Sequence, residues 1–149
     1  METLLTDEHA RYQLYLTVMP SSDSSTEHDL MARIMRDPDQ VMSEAAITHY
    51  IDDKASSIST SEQFITWSTG VRNLVKGHQF LVQRINEWIL FKTLKDGRQV
   101  LSDELTGATD WLQRKIASEL DSPHALEVMA SFGRTKRVRN LARIRLRSV

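Results

Sequence analysis

The chain has 149 residues, 40% of them hydrophobic and 26% charged, with a formal net charge of −1 and no cysteine. Such totals fit one compact domain with a hydrophobic core of its own, expected over residues 1–149. They exclude a disulfide framework, every thiolate metal site and a cysteine nucleophile.

Glycine and proline are scarce, at five and three residues, and apolar positions recur at helical spacing. Thr6-Asp7-Glu8 supplies a cap with acids in the first turn, and the helix it opens runs to about Met19. Tyr12, Leu14, Leu16 and Val18 also alternate as in a strand, but no partner strand follows, which favours helix. The polar break near 20–26, Pro20 then Ser21 to Ser25, reads as a mobile loop. Thr26 opens the next helix, with Leu30, Met31, Ile34 and Met35 on it. Asp37-Pro38-Asp39 turns the chain, with Pro38 suited to a helix first turn.

A third helix carries Val41, Ala45, Thr48, His49 and Asp52, and Ala55 to Ser61 reads as a serine-rich link. Thr60 with Gln63 forms a capping box for a helix holding Phe64, Trp67, Val71, Leu74 and Val75, ended or kinked by Gly77. A further helix is predicted from His78 to about Leu94, closed by an Asp96-Gly97 turn. Thr106 or Thr109 caps one with Leu112, Ile116 and Leu120. Pro123 starts another and Gly133 closes it. Thr135 caps a last basic helix near 135–147. The result is an all-α fold of about seven to eight helices, either an irregular bundle or a short α-solenoid.

Charge is distributed unevenly along this chain. Residues 1–60 carry eleven acids and four bases, whereas residues 134–149 carry seven bases and no acid. Asymmetry of this kind marks an interaction surface, or lets a basic helix lie on an acidic half of the same molecule. Phe80 to Leu94 is the most apolar stretch, but Gln83, Arg84, Asn86, Glu87 and Lys92 interrupt it, so no membrane insertion is expected. Met1 to Thr6 lacks the pattern of a signal peptide, and a cytoplasmic location is the expectation.

One internal echo appears when Val41 is laid on Val138. Met31 then meets Val128, Met35 meets Phe132 and Ala45 meets Ala142. The run from Met31 to Val41 with Ala45-Ala46, and the run Arg137-Val138-Arg139-Asn140-Leu141-Ala142, each resemble a HEAT-type helical repeat of the HEAT and armadillo class. Met42 stands where such repeats usually have arginine, and Gly133 to Lys136 replaces the Asp-Pro turn. The resemblance implies a helical scaffold that binds other proteins.

The chemistry-bearing patterns are few. At 100° per residue Lys136, Arg139, Arg143 and Arg147 fall within about 80°, forming a basic stripe suited to carboxylates or phosphates. His49 and Asp52 share a helix face, but a lone pair does not make a metal or acid–base site. Trp67, Trp88 and Trp111 lie among apolar positions and read as core. HExxH, EF-hand, P-loop, dinucleotide and Gly-x-Ser-x-Gly patterns are missing. No catalytic residue, metal or cofactor is therefore expected. The sequence points to a non-catalytic module that binds a protein partner. The competing reading is nucleic-acid binding through the stripe, against which the overall negative balance counts.

Overall fold

A computed structural model describes residues 7–149 of the protein. Of these, 76% are helical and none lies in a strand, so the all-α expectation holds among the described residues. The helices are α1 (Glu8–Val18), α2 (Glu27–Met35), α3 (Gln40–Ser57), α4 (Ser61–Val75), α5 (Gln79–Lys95), α6 (Ser102–Thr106), α7 (Asp110–Glu119), α8 (Pro123–Phe132) and α9 (Lys136–Leu146). They gather into two compact units, one up to Asn86 and one of Glu87–Val149. The boundary falls inside α5, where the sequence reading places none.

Local chemistry explains most helix ends. The side chains of Asp7, Asp39, Thr60, Thr109, Ser122 and Thr135 each accept a hydrogen bond from an early backbone N–H of the helix that follows. After α5 the chain reverses at Gly97, whose φ of 84° is the left-handed conformation that glycine adopts at no steric cost.

Some expectations change. Pro38 lies outside the helix, because Asp39 is the cap. The predicted link at Ala55 to Ser61 begins late: α3 continues to Ser57 because Ala55 is fully buried and packing outweighs serine's weak helix preference. Thr26 precedes α2 but makes no side-chain cap. In the segment near 20–26, Asp23 accepts the N–H and hydroxyl groups of Ser25 and Thr26 instead, which hold its carboxyl below the usual carboxylate range. The short helix α6 was not foreseen.

In the first unit α1 packs on α3, and α2 packs on α3 and α4, around Met31, Ile34, Ile47, Ile51, Phe64 and Val71. Two buried carboxylates fasten these helices. Asp37 receives two bonds from the Arg11 guanidinium at 2.8 and 3.1 Å, one from the Tyr15 hydroxyl at 2.7 Å and one from the Asp39 N–H at 2.9 Å. Burial alone would raise its carboxyl, but these bonds outweigh burial and hold it below the usual range. The same pairing, added to burial, pushes the Tyr15 phenol up to about 12.

A carboxyl that binds protons less readily when folded adds stability above the ordinary carboxylate range. That contribution disappears as pH falls through the folded value. The stability difference between wild type and Asp37→Asn should therefore be full at neutral pH and shrink below about pH 4. Urea unfolding followed by circular dichroism across this range tests it, and a pH-independent difference would contradict the assignment.

Glu27 is the second such group, 4% exposed at the start of α2. It accepts the Tyr50 hydroxyl from α3 and the Trp67 indole N–H from α4 at 2.9 Å, and pairs with Lys54 at 3.3 Å.

In the second unit α8 packs on α6, α7 and α9, and α7 packs on α9, around Leu105, Leu112, Ile116, Leu126, Met129 and Val138. Glu87 accepts both the N–H, at 2.8 Å, and the hydroxyl of Thr109, the cap of α7. Trp88 is buried edge-on to Trp111 and Phe91, at 5.6 and 5.8 Å between ring centres. The Lys115 ammonium lies 4.7 Å from the Trp88 ring and 4.8 Å from the Phe91 ring, a cation–π arrangement. Lys92 beside it is buried, which lowers its pKa.

Candidate interaction face on the last helix

The site is built on a hairpin made by α8 and α9. Gly133 ends α8, donating its N–H to the Met129 carbonyl at 2.9 Å. A Cβ at this position would lie 2.6 Å from the Met129 oxygen and 2.7 Å from Val138 Cγ1, so only glycine lets α9 return this closely. Two residues later the Thr135 hydroxyl accepts the Val138 N–H at 3.1 Å and starts α9. Val138 and Ala142 are fully buried, and the small Ala142 lets the helix approach its neighbours.

Three arginines of this segment are structural, each reaching the end of a helix. Arg134 donates from Nε to the Ala108 carbonyl at 2.6 Å and from Nη2 to that of Gly107, the C-cap of α6. Its own N–H is fixed by the fully buried Gln113, whose amide in turn donates to the Leu105 carbonyl. Arg139 donates to the Gly133 carbonyl at 2.7 Å, at the end of α8. Arg145 donates to the Ala117 and Leu120 carbonyls at 3.0 and 2.5 Å, closing α7, and pairs with Asp121. Guanidinium groups suit these places because the last carbonyls of a helix lack intrahelical partners and carry the negative end of its dipole.

The other cations face outward. Lys136, Asn140, Arg143 and Arg147 are exposed and lie within about 60° around α9, with Arg137 and Ile144 beside them. Among the described residues Lys136, Arg137 and Arg147 make no hydrogen bond or ion pair through their side chains, and Arg143 bonds only the Asn140 amide oxygen at 3.1 Å. Ile144, beside these cations on the same helix, is 60% exposed, and Phe132, at the end of α8, is 68% exposed.

Of the four stripe residues read from the sequence, Lys136, Arg143 and Arg147 thus share an open face, while Arg139 is half-buried on a helix end. Sequence reasoning passed over Arg137, Asn140, Ile144 and Phe132. The first three fall within about 100° of Lys136 on the same helical projection, so the signal was there for an apolar as well as a basic component.

The remaining constellations come apart. His49 lies 3.4 Å from Asp53, one turn on, while Asp52 is held by the Arg84 guanidinium at 2.9 and 2.7 Å. Trp88 is in the core, whereas Trp67 and Trp111 are half-buried. Among the described residues no three histidine or acidic side chains gather as metal ligands would, and no helix is long and apolar enough to cross a membrane. Comparison with protein-family models, curated proteins and solved structures gives no match.

Proposed function

We propose that the chain is a non-catalytic helical interaction module, cytoplasmic, that captures a protein partner through the outward face of α9. One observation carries this reading. Lys136, Arg137, Arg143 and Arg147 form an open cationic face beside exposed Ile144 on the same helix. Such a face suits a partner that offers carboxylates around an apolar anchor. The internal echo supports it, since both repeat-like segments fold as packed helix pairs, α2 with α3 and α8 with α9. A HEAT-like scaffold uses paired helices of this kind for binding.

The test is affinity capture from native lysate, with and without nuclease, using wild type and Arg143→Glu/Arg147→Glu. Two exposed ion pairs stabilise a complex by about 1.4 kcal/mol together, so their reversal should weaken capture at least about tenfold. A partner retained after nuclease and lost by the variant supports the reading. Copurified nucleic acid that is lost in the variant replaces the protein partner with a phosphate backbone. Capture of the same protein by both forms overturns the α9 assignment.

A further inference from the structure

The first unit contains a shallow surface groove with apolar and acidic residues along it. The outward side of α3 presents Val41, Ala45, Thr48 and Asp52, successive neighbours along one helix face. Tyr12 of α1 and Phe80 of α5 wall this face to form a shallow groove of about 390 Å³. Its apolar residues are open to water: Val41 is 83% exposed and Phe80 51%. Surface apolar groups scattered singly need no explanation, but these two line one groove with Ala45 between them.

Acids accompany the groove. Glu44 lines it with one carboxylate oxygen 3.3 Å from His78, and Asp52 lines it while also holding Arg84. Asp53, the next residue of α3, is exposed and lies 3.4 Å from His49. From Val41 to Asp52 the groove follows about 16 Å of helix, the length of the eleven-residue α9. The outward face of α9 offers the complement, Ile144 for the gap between Val41 and Phe80, with Arg143 and Arg147 for the carboxylates. The charge of the whole chain is separated in the same sense, acidic over residues 1–60 and basic over residues 134–149.

We infer that α9 of one molecule docks in the α1–α3–α5 groove of a second copy of this chain. The inference rests on the reading of α9 as a docking face and names a partner for it. The contact is heterologous, groove to helix, so each molecule keeps one face free and copies add in a row unless the row closes. Opposite charges across it make the association salt-dependent.

Sedimentation equilibrium of the full chain decides the matter. At low salt the mean mass should rise above 17.1 kDa as concentration increases from micromolar to several hundred micromolar, and return to 17.1 kDa at high salt. Phe80→Asp changes an exposed groove residue, and Arg143→Glu/Arg147→Glu changes the helix, so each alone should stay at the mass of one chain. Circular dichroism checks that both are folded. Mixed together, the two variants retain one intact groove and one intact helix between them, and should form a one-to-one pair of twice the chain mass that grows no further.

Wild type that stays monomeric throughout overturns the proposal, as does a mixture that fails to pair. The two readings separate because Phe80→Asp leaves α9 untouched. If this variant and wild type both stay monomeric while an acidic protein is still captured through α9, self-docking falls and the interaction face survives. If the α9 variant alters neither capture nor mass, both fall.

Discussion

Replacing Gly133 with alanine is expected to destabilise the second unit by about 3 kcal/mol, the upper range for forcing extra atoms into a packed site. The added Cβ would lie 2.6 Å from the Met129 carbonyl oxygen, a backbone atom that cannot swing aside as a side-chain tip can. On its other side Val138 Cγ1 is 2.7 Å away, and Val138 is itself fully buried. Relief therefore requires α9 to move off α8, which would open the core around Val138 and Ala142. The backbone at this position has φ near −55°, available to any residue, so the effect is steric and not conformational. In thermal unfolding followed at 222 nm the midpoint should drop by on the order of 10 °C. Gly77 provides the control, because a Cβ there meets nothing within 4 Å. Gly77→Ala should leave the midpoint within a degree or two, and equal effects at both positions would refute the close-packing account.

Glu27→Ala should have an effect of similar size in the first unit. The change removes the acceptor of the Tyr50 hydroxyl and of the Trp67 indole N–H, and leaves Lys54 without its carboxylate. Unsatisfied buried donors and a broken ion pair together cost about 3 kcal/mol. Glu27 also occupies the first turn of α2, where a negative charge stabilises the helix by a few tenths of a kcal/mol more. Glu27→Gln separates shape from charge. It keeps an acceptor oxygen of the same reach but removes the ion pair and turns an amide N–H₂ towards one donor, so about half the loss should remain. Urea midpoints for the three proteins test this order, and an alanine variant as stable as wild type would mean that the network fastens nothing.

These two sites show where sequence reading ends. Gly133 was visible as a helix stop, and Asp7, Thr60 and Thr135 as caps, because each acts on groups no more than four residues away. The Asp39 cap was missed, since Pro38 was read into the first turn of α3. Glu27 was invisible: its partners lie 23 and 40 residues ahead, and nothing about one glutamate among twenty acids singles it out. The same holds for Asp37 with Arg11, Glu87 with Thr109, and Gln113 with Arg134. Helix α6, five residues without a side-chain cap, has too little pattern to detect. For the candidate face, the projection of α9 gave each residue its azimuth. It could not reveal that the end of α8 draws Arg139 inward, since that depends on how α9 returns from Gly133.

The division of labour among the cations of residues 134–149 bears on how this segment tolerates change. At Lys136, Arg137, Arg143 and Arg147 any flexible cation preserves the outward charge, so exchange of lysine and arginine there leaves the fold undisturbed. At Arg134 a planar, forked group reaches two carbonyls from two nitrogens, and at Arg145 one nitrogen takes two carbonyls while the other takes Asp121, so lysine, though equally charged, lacks the second nitrogen that each place uses. Two sets of positions with opposite rules are interleaved in one short stretch. Substitution can therefore redesign what α9 offers to a partner without disturbing the ends of α6, α7 and α8, and the binding face and the fold are free to drift separately.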